Sequence, residues 1–282
     1  MKKILSVALC LLLTLAAWAQ NADSLAFVSG NWTSSELAEG VVFKQCHFAA
    51  GELFGGSNQF VSVVEANAGH PLKVIAAPAD TLEGTSSIAA RTDAIAAING
   101  SFFKMKYPYG GITYTRCEGY EVVDHNANDG NSVRSERQNG AVVAGGGETF
   151  ILAADYASDW EKTIEAEEVL TSGPLMITGG CDAQVSEAAF NTNRHPRSAV
   201  GKKADGTVVF IVEDGRRPET AGVSIFELRD LMRWMGCVDA LNLDGGGSST
   251  LTVGSRIVNM PSDNKKFDNE GERLVANALI IK

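Results

Sequence analysis

This 282-residue chain is short of positive charge relative to negative, and it has few cysteines and histidines. Lys and Arg number 24 against 34 Asp and Glu, a formal charge of −10. A chain this acidic is a poor nonspecific ligand for nucleic acid or for an anionic membrane. Any site for an anion must therefore be a local basic cluster. The five cysteines contain no Cys-x-x-Cys, and the four histidines (47, 70, 125 and 195) are scattered, so no zinc cluster is readable. There is no Gly-x-Ser-x-Gly elbow, which leaves a Ser/His/Asp hydrolase unsupported. No internal repeat or low-complexity linker stands out. Beyond the N-terminus, no run approaches the ~20 apolar residues that a membrane-spanning helix needs.

The N-terminus itself reads as a signal peptide over residues 1–19. Lys2 and Lys3 form a basic n-region, Ile4 to Leu15 an apolar core, and Ala17-Trp18-Ala19 a small-x-small cleavage site. The short, lysine-led form is of bacterial type, so the expected destination is the periplasm or the exterior. An oxidising compartment permits disulfides. Cys46, Cys117, Cys181 and Cys237 allow three pairings, with buried free thiols as the alternative. By length the mature chain is one or at most two domains.

Short strand-like stretches recur along the chain. Residues 60–65 and 73–77 alternate or run apolar as strands do. Residues 85–93 suggest a short helix, and 94–98 a strand ending in Asn99-Gly100-Ser101-Phe102-Phe103. Residues 104–140 are polar, aromatic and glycine-rich, a long excursion of the kind that is often functional. Ala141–Ala144 and Thr149–Leu152 flank a Gly145–Glu148 turn and predict a hairpin. Residues 156–168 suggest a charged surface helix. Ser198–Lys202 and Thr207–Glu213 predict a second hairpin through Asp205-Gly206. With those two as the loop, Arg197 faces Asp214, and Glu213 points to the other sheet face. Ser224 and Glu227 form a capping box for a helix whose apolar face is Leu228, Leu231, Met232 and Met235, closed by Gly236. The strand Val238–Leu243 follows. Strand, helix, strand is a βαβ unit with both carboxyl ends at one sheet edge. The fold class expected is α+β: mixed β-sheet with a few covering helices and one βαβ unit near the C-terminus.

That shared edge is where chemistry belongs. One strand ends in Asp214-Gly215-Arg216, the other in Asp244-Gly245-Gly246-Gly247-Ser248-Ser249. Successive free amides in a glycine turn make an anion-binding concavity, and a carboxylate on the rim can be base or nucleophile. Arg197 suits bidentate phosphate binding, with Arg194 and Arg216 adding positive field. Each piece alone also has a plain structural reading: Asp244 as an Asx-turn, Arg197 with Asp214 as an ion pair, His195 as a hydrogen-bonded core histidine.

Together with Ala97–Phe103, Ser172-Gly173-Pro174-Leu175, Arg194–Gly201, Pro261-Ser262-Asp263 and Arg273–Leu279, these motifs resemble the phosphodiester glycosidase family in kind and order over about residues 90–282. Asn-Gly-Ser-Phe-Phe stands where Asn-Gly-Gly-Phe-Phe is commoner in that family. Residues 20–89 carry no matching motif and are expected to pack on the main domain. The resemblance implies hydrolysis of the glycosidic bond in a sugar-1-phosphodiester. It implies Asp244 or Asp214 as catalytic carboxylates, and Arg197 and the Gly245–Ser248 amides as anion ligands. Asn99, Ser248 and Ser249 would orient sugar or phosphate oxygens. No cofactor is required by the sequence, although a divalent cation between Asp214 and Asp244 is possible. The expected partner is a phosphorylated glycan or sugar-phosphodiester, with no nucleic acid. Two other classes stay open: a noncatalytic module binding cell-envelope glycans, and a phosphodiesterase attacking phosphorus.

Overall fold

The structure is a computed structural model and describes residues 22–126, 135–155, 157 and 159–282. The signal-peptide reading of residues 1–19 lies outside the described residues.

Alternation at period two builds the molecule in layers. In the strand Val208–Glu213, Val208, Phe210 and Val212 face one core while Val209 and Ile211 face another. Every residue of this strand is buried. It lies inside an eight-stranded sheet ordered Thr33–Ala38, Val41–Leu53, Ser57–Ala66, Val208–Glu213, Arg197–Lys203, Cys237–Asn242, Leu175–Thr178, Cys181–Asp182. On one face of this sheet, Phe27 of the helix Ala22–Val28 and Leu228, Leu231 and Met232 of the helix Ile225–Trp234 pack on Val61, Val63, Ala199 and Ile211. The other face meets two five-stranded sheets through Val64, Phe210, Val200, Leu241, Val142, Leu170, Ile98 and Leu279. One of these sheets runs Arg256–Ile257, Leu251–Val253, Ala96–Asn99, Asn277–Ile281, Leu72–Ala76. The other runs Glu148–Ala153, Gly140–Gly145, Glu168–Ser172, Thr115–Cys117, Tyr120–Val123. The helix Thr85–Arg91 covers the outer face of the first with Ile88 and Ala89 on Ala97, Ala278 and Ile280. The architecture is α+β, as expected. Three strands of the large sheet lie before residue 90, so residues 33–66 are part of the same sheet as the motif-bearing strands.

Both halves of the capping box form: the Ser224 side chain accepts from Glu227 N, and Glu227 accepts from Ser224 N. Gly236 follows the helix at φ 87°. The first hairpin closes on Gly146 and Gly147, with Gly145 opposite Glu148. Of the surface helix expected over 156–168, the described residues form only a short 3-10 turn at 160–163, whose Trp160 is buried, and positions 156 and 158 lie outside the described residues.

Two expectations about the C-terminal third need correction. The second hairpin has Lys202 opposite Val208 and Arg197 opposite Glu213, one residue out of the register expected. Lys203 N donates to Thr207 O, so the loop is the three residues 204–206, with Gly206 at φ 88°. A left-handed glycine after a tight turn inserts one extra residue, and one extra residue moves every pair. The crossover is also split. Val208–Glu213 and Cys237–Asn242 run in the same direction, but each pairs antiparallel with Arg197–Lys203 between them. Their carboxyl ends still share an edge.

All four described cysteines are free thiols. Burial pushes Cys46 up to about 11 and Cys117 and Cys237 up to about 12. No helix among the described residues is long and apolar enough to cross a membrane.

Candidate active site

The strand Cys237–Asn242 delivers Asp244 to the sheet edge, and the surrounding backbone holds it there. Asn242 N donates to Pro174 O, Leu243 N to Ser198 O, and Asp244 N to Gly100 O at 3.0 Å. Asn99 ties the corner together: its Nδ2 donates to Asp244 O at 2.6 Å, and its Oδ1 accepts from Ser198 Oγ at 2.7 Å and Thr250 N at 3.1 Å. The Asn99 amide is therefore occupied by the protein and fully buried. It positions Asp244 rather than presenting itself to a ligand.

The glycine turn is mostly closed as a nest of amides: of those at 245–248, only Gly247 N has no acceptor among the described residues. Gly245 N donates to Asp244 Oδ1 at 2.9 Å, Gly246 N to Pro196 O at 2.8 Å, Ser248 N to Gly245 O and Ser249 N to Gly246 O. What the glycines provide is room for side chains. Gly246 sits at φ 65°, with the Arg216 guanidinium 2.9 Å from where a Cβ would lie. At Gly247 a Cβ would fall 1.9 Å from Asp263 Oδ1 and 2.3 Å from Arg273 Nη2, so the bidentate Asp263–Arg273 pair lies directly over the turn. Ser248, Ser249 and Thr250 are buried with hydroxyls that find no hydrogen bond among the described residues.

The two aspartates differ. Asp214 is 1% exposed, and both its oxygens are engaged, Oδ1 by Asn259 Nδ2 at 2.7 Å and Oδ2 by Met260 N at 2.8 Å. Asn259 also donates to Ser249 O and accepts from Leu251 N, so Asp214 buttresses the segment after the turn. Burial raises it to about 7 against the pull of those two donors. Asp244 is only partly buried. Desolvation raises it to about 6, while the Ser248 hydroxyl, the Gly245 amide and the Arg273 and Arg137 charges lower it. The Ser248 hydroxyl acts here by proximity, as it makes no close hydrogen bond.

The expected contact between Arg197 and Asp214 does not form. The one-residue register change places Arg197 across from Glu213 and leaves Asp214 beyond the ladder. Arg197 is 1% exposed and donates to three carbonyls: Val223 O at 3.2 Å, Phe190 O at 2.5 Å and Asn193 O at 3.0 Å. Burial, then Arg137 and Arg216, lower it to about 10, and Asp244 opposes that shift. Glu213 is buried, accepts from Phe60 N and Thr220 Oγ1, and is raised well above the carboxylate range by desolvation and by Asp214. Arg194 is spent on Glu227 and Phe54 O, bracing the capped helix.

Free positive charge comes from elsewhere. Arg216 and Arg137 are exposed, and neither pairs with a carboxylate among the described residues. The Arg137 guanidinium lies 4.3 Å from the centroid of the Phe190 ring and 5.5 Å from that of Phe102, and Arg197 lies 4.7 Å from Phe190. Two arginines whose charges interact with Asp244 thus share one aromatic ring. His195 is held below its ordinary value by burial and by Arg197 and Arg216. Asp244, Arg197 and Arg216 were legible as candidates; Arg137, Arg273 and Phe190 were not. Asp263 and Arg273 stand in motifs that carry the resemblance, which was the available signal for them. Arg137 and Phe190 come from segments with no motif. Among the described residues, no group of three or more His, Cys, Asp or Glu side chains is placed to hold a metal ion.

Known proteins share this arrangement of elements. A 99-residue stretch, 35% of this chain and 14% of the relative, is 37% identical to the SPbeta prophage-derived uncharacterized protein YomE of Bacillus subtilis. A 67-residue stretch, 24% of this chain, is 36% identical to 13% of mouse N-acetylglucosamine-1-phosphodiester alpha-N-acetylglucosaminidase. The chain therefore aligns with about one seventh of either relative. The catalytic domain of the zebrafish enzyme of that name, solved auto-inhibited by its pro-peptide, superposes with a TM-score of 0.67 over 93% of this chain and 94% of that one, at 15% identity. The phosphodiester glycosidase family model matches residues 92–282, well over half the chain and all of the corner around Asp244. This chain belongs to the phosphodiester glycosidase family.

Proposed function

We propose that this protein is an exported hydrolase that cleaves the C1–O bond of a sugar-1-phosphodiester, releasing a sugar and a phosphomonoester. The observation that carries the reading is a partly exposed carboxylate, Asp244, near Arg137, Arg197 and Arg216, none of which pairs with a carboxylate among the described residues, in a chain of charge −10. A phosphodiester needs local positive charge, and Arg216 over the glycine turn with Arg137 on Phe190 supply it where overall composition does not. Breaking C1–O leaves an oxocarbenium-like sugar and a phosphate. The ionised Asp244 faces the developing positive charge and acts on C1 directly or through a water. Arg216 and Arg137 hold the leaving phosphate, and the buried Arg197 charge adds to their field. A phosphate is a good leaving group, so a strong general acid matters less than this anion stabilisation. Asp214 and Asn99 position the turn and do not touch the reacting atoms.

Turnover of N-acetylglucosamine 1-(methyl phosphate) in ¹⁸O-water tests the bond cleaved. Label is expected in the sugar. Label in the phosphate would instead establish attack at phosphorus, and tight binding with no turnover on a panel of such diesters would establish a binding module. A second expectation concerns pH. Asp244 must be ionised to act and its carboxyl is raised to about 6. The kcat/KM should therefore fall tenfold per unit as pH drops below about 6, reporting the free enzyme. A flat profile from pH 4 to 8 would remove Asp244 from the chemistry. Export is tested by the N-terminus of the protein recovered from the producing cells, expected at Gln20.

A further inference from the structure

The corner around Asp244 continues outward into a second feature. The chain leaves the site at Gly100, whose carbonyl accepts from Asp244 N, and at Ser101, whose amide donates to Asn277 Oδ1 at 2.8 Å. Phe102, whose ring lies under Arg137, is followed at once by a two-stranded hairpin, Phe103–Lys104 with Gly110–Gly111. Ile112 N closes its base on Phe102 O. The hairpin tip is exposed throughout residues 104–109 and carries Lys104, Met105, Lys106, Tyr107 and Tyr109. Tyr107 is 74% exposed, with its ring 6.1 Å from that of Tyr109. Neither lysine pairs with a carboxylate among the described residues. Between the hairpin, the strand Tyr120–Val123 and residues 76–81 lies a cleft of about 270 Å³. Asn277 lines it, the same residue that holds Ser101 beside the site.

Exposed tyrosines and methionine on a projecting hairpin serve no core, and the two lysines serve no ion pair among the described residues. Aromatic rings at a wet surface stack on the apolar faces of sugars, offering large rigid area at low entropic cost. Ammonium groups suit phosphate as point charges. We propose that the hairpin and its cleft form an extended subsite for the chain beyond the scissile phosphate. The substrate class is then a phosphate-linked glycan with more than one sugar-phosphate unit, not an isolated sugar-1-phosphodiester. The sugar next to the scissile phosphate occupies the cleft against Tyr109, and a second phosphate meets Lys104 and Lys106. This inference rests on the sugar-phosphodiester reading of Asp244.

The test compares a long probe with a short one: a synthetic trimer of N-acetylglucosamine units joined by phosphodiesters, against N-acetylglucosamine 1-(methyl phosphate). The variants are Lys104→Ala/Lys106→Ala and Tyr107→Ala/Tyr109→Ala, all at exposed positions that leave the core untouched. The ratio of kcat/KM for the trimer to that for the methyl diester is expected to fall at least tenfold in either double variant, mostly through KM. An unaltered ratio overturns the subsite while leaving the reaction standing. Calorimetric binding of the trimer to the wild type and both variants separates the two ideas if neither probe turns over. A Kd weakened tenfold or more then supports the hairpin while the reaction reading fails, and an equal Kd overturns the hairpin.

Discussion

Replacing Asp244 with Asn is expected to lower kcat/KM for a sugar-1-phosphodiester by on the order of 10³, the middle of the range for removing a positioned acid–base group. The exchange is nearly isosteric. An asparagine Oδ1 still accepts from Gly245 N, so the turn keeps its shape. Only the negative charge facing the sugar is lost. Stability should not suffer. The folded protein raises the Asp244 carboxyl above its ordinary value, mainly by desolvation. The native state therefore binds the proton more tightly than the unfolded chain, and ionisation of this group costs stability progressively as pH rises through about 6. A neutral amide escapes that cost, so the Tm at pH 8 should equal or exceed that of the wild type. Binding of the phosphodiester should persist, since Arg216, Arg137 and Arg197 remain. Steady-state kinetics with calorimetry check the pair of expectations. Activity within threefold of wild type would sink the assignment.

Asn99→Ala is expected to be the most damaging single truncation near the site. The side chain is fully buried and spans three groups: Asp244 O, Ser198 Oγ and Thr250 N. Ser198 lies in the large sheet, and Asp244 and Thr250 flank the glycine turn that leads from it to the neighbouring five-stranded sheet. Each buried group left without a partner costs about 1–3 kcal/mol, so the three together cost roughly 3–9 kcal/mol before any cavity cost. At about 2–4 °C per kcal/mol for a protein of this size, the Tm should fall by at least about 6 °C and by as much as about 36 °C. Activity should fall as well, since Asp244 loses the clamp on its own carbonyl. Thermal unfolding measures it, and a Tm within 3 °C of wild type would show that the corner does not depend on this amide.

Much of the site's location could be read from residues alone, and less of its chemistry. Local rules worked where they act locally: the capping box, the glycine C-cap and the Gly146-Gly147 hairpin all formed. The shared strand edge that brings Asp214 and Asp244 to one end also followed, because direction of travel survives an intervening strand. Register did not follow. Asp205-Gly206 is compatible with a two- or three-residue loop, and the left-handed Gly206 selected the longer one. That single residue separated Arg197 from Asp214. The glycine turn read as an anion nest because its amides are countable in the sequence. Their acceptors, Pro196 O for Gly246 among them, are set by tertiary approach and are not. Arg137 and Phe190 could not be found for the same reason: they meet each other from distant segments without any spacing that links them.

The large sheet has a consequence for what can be separated from what. The family resemblance begins at residue 92, yet the strand Ser57–Ala66 pairs along the whole of Val208–Glu213, from Ala66 opposite Val208 to Val61 opposite Glu213. Cutting the chain to the shared portion would leave an all-buried, β-branched-rich strand as a naked edge, its amides and carbonyls ready to recruit another copy. The segment with no motif of its own thus covers the edge of a motif-bearing strand. Its backbone closes that edge, and its Val61, Val63 and Val64 fill the cores on the two faces of the sheet.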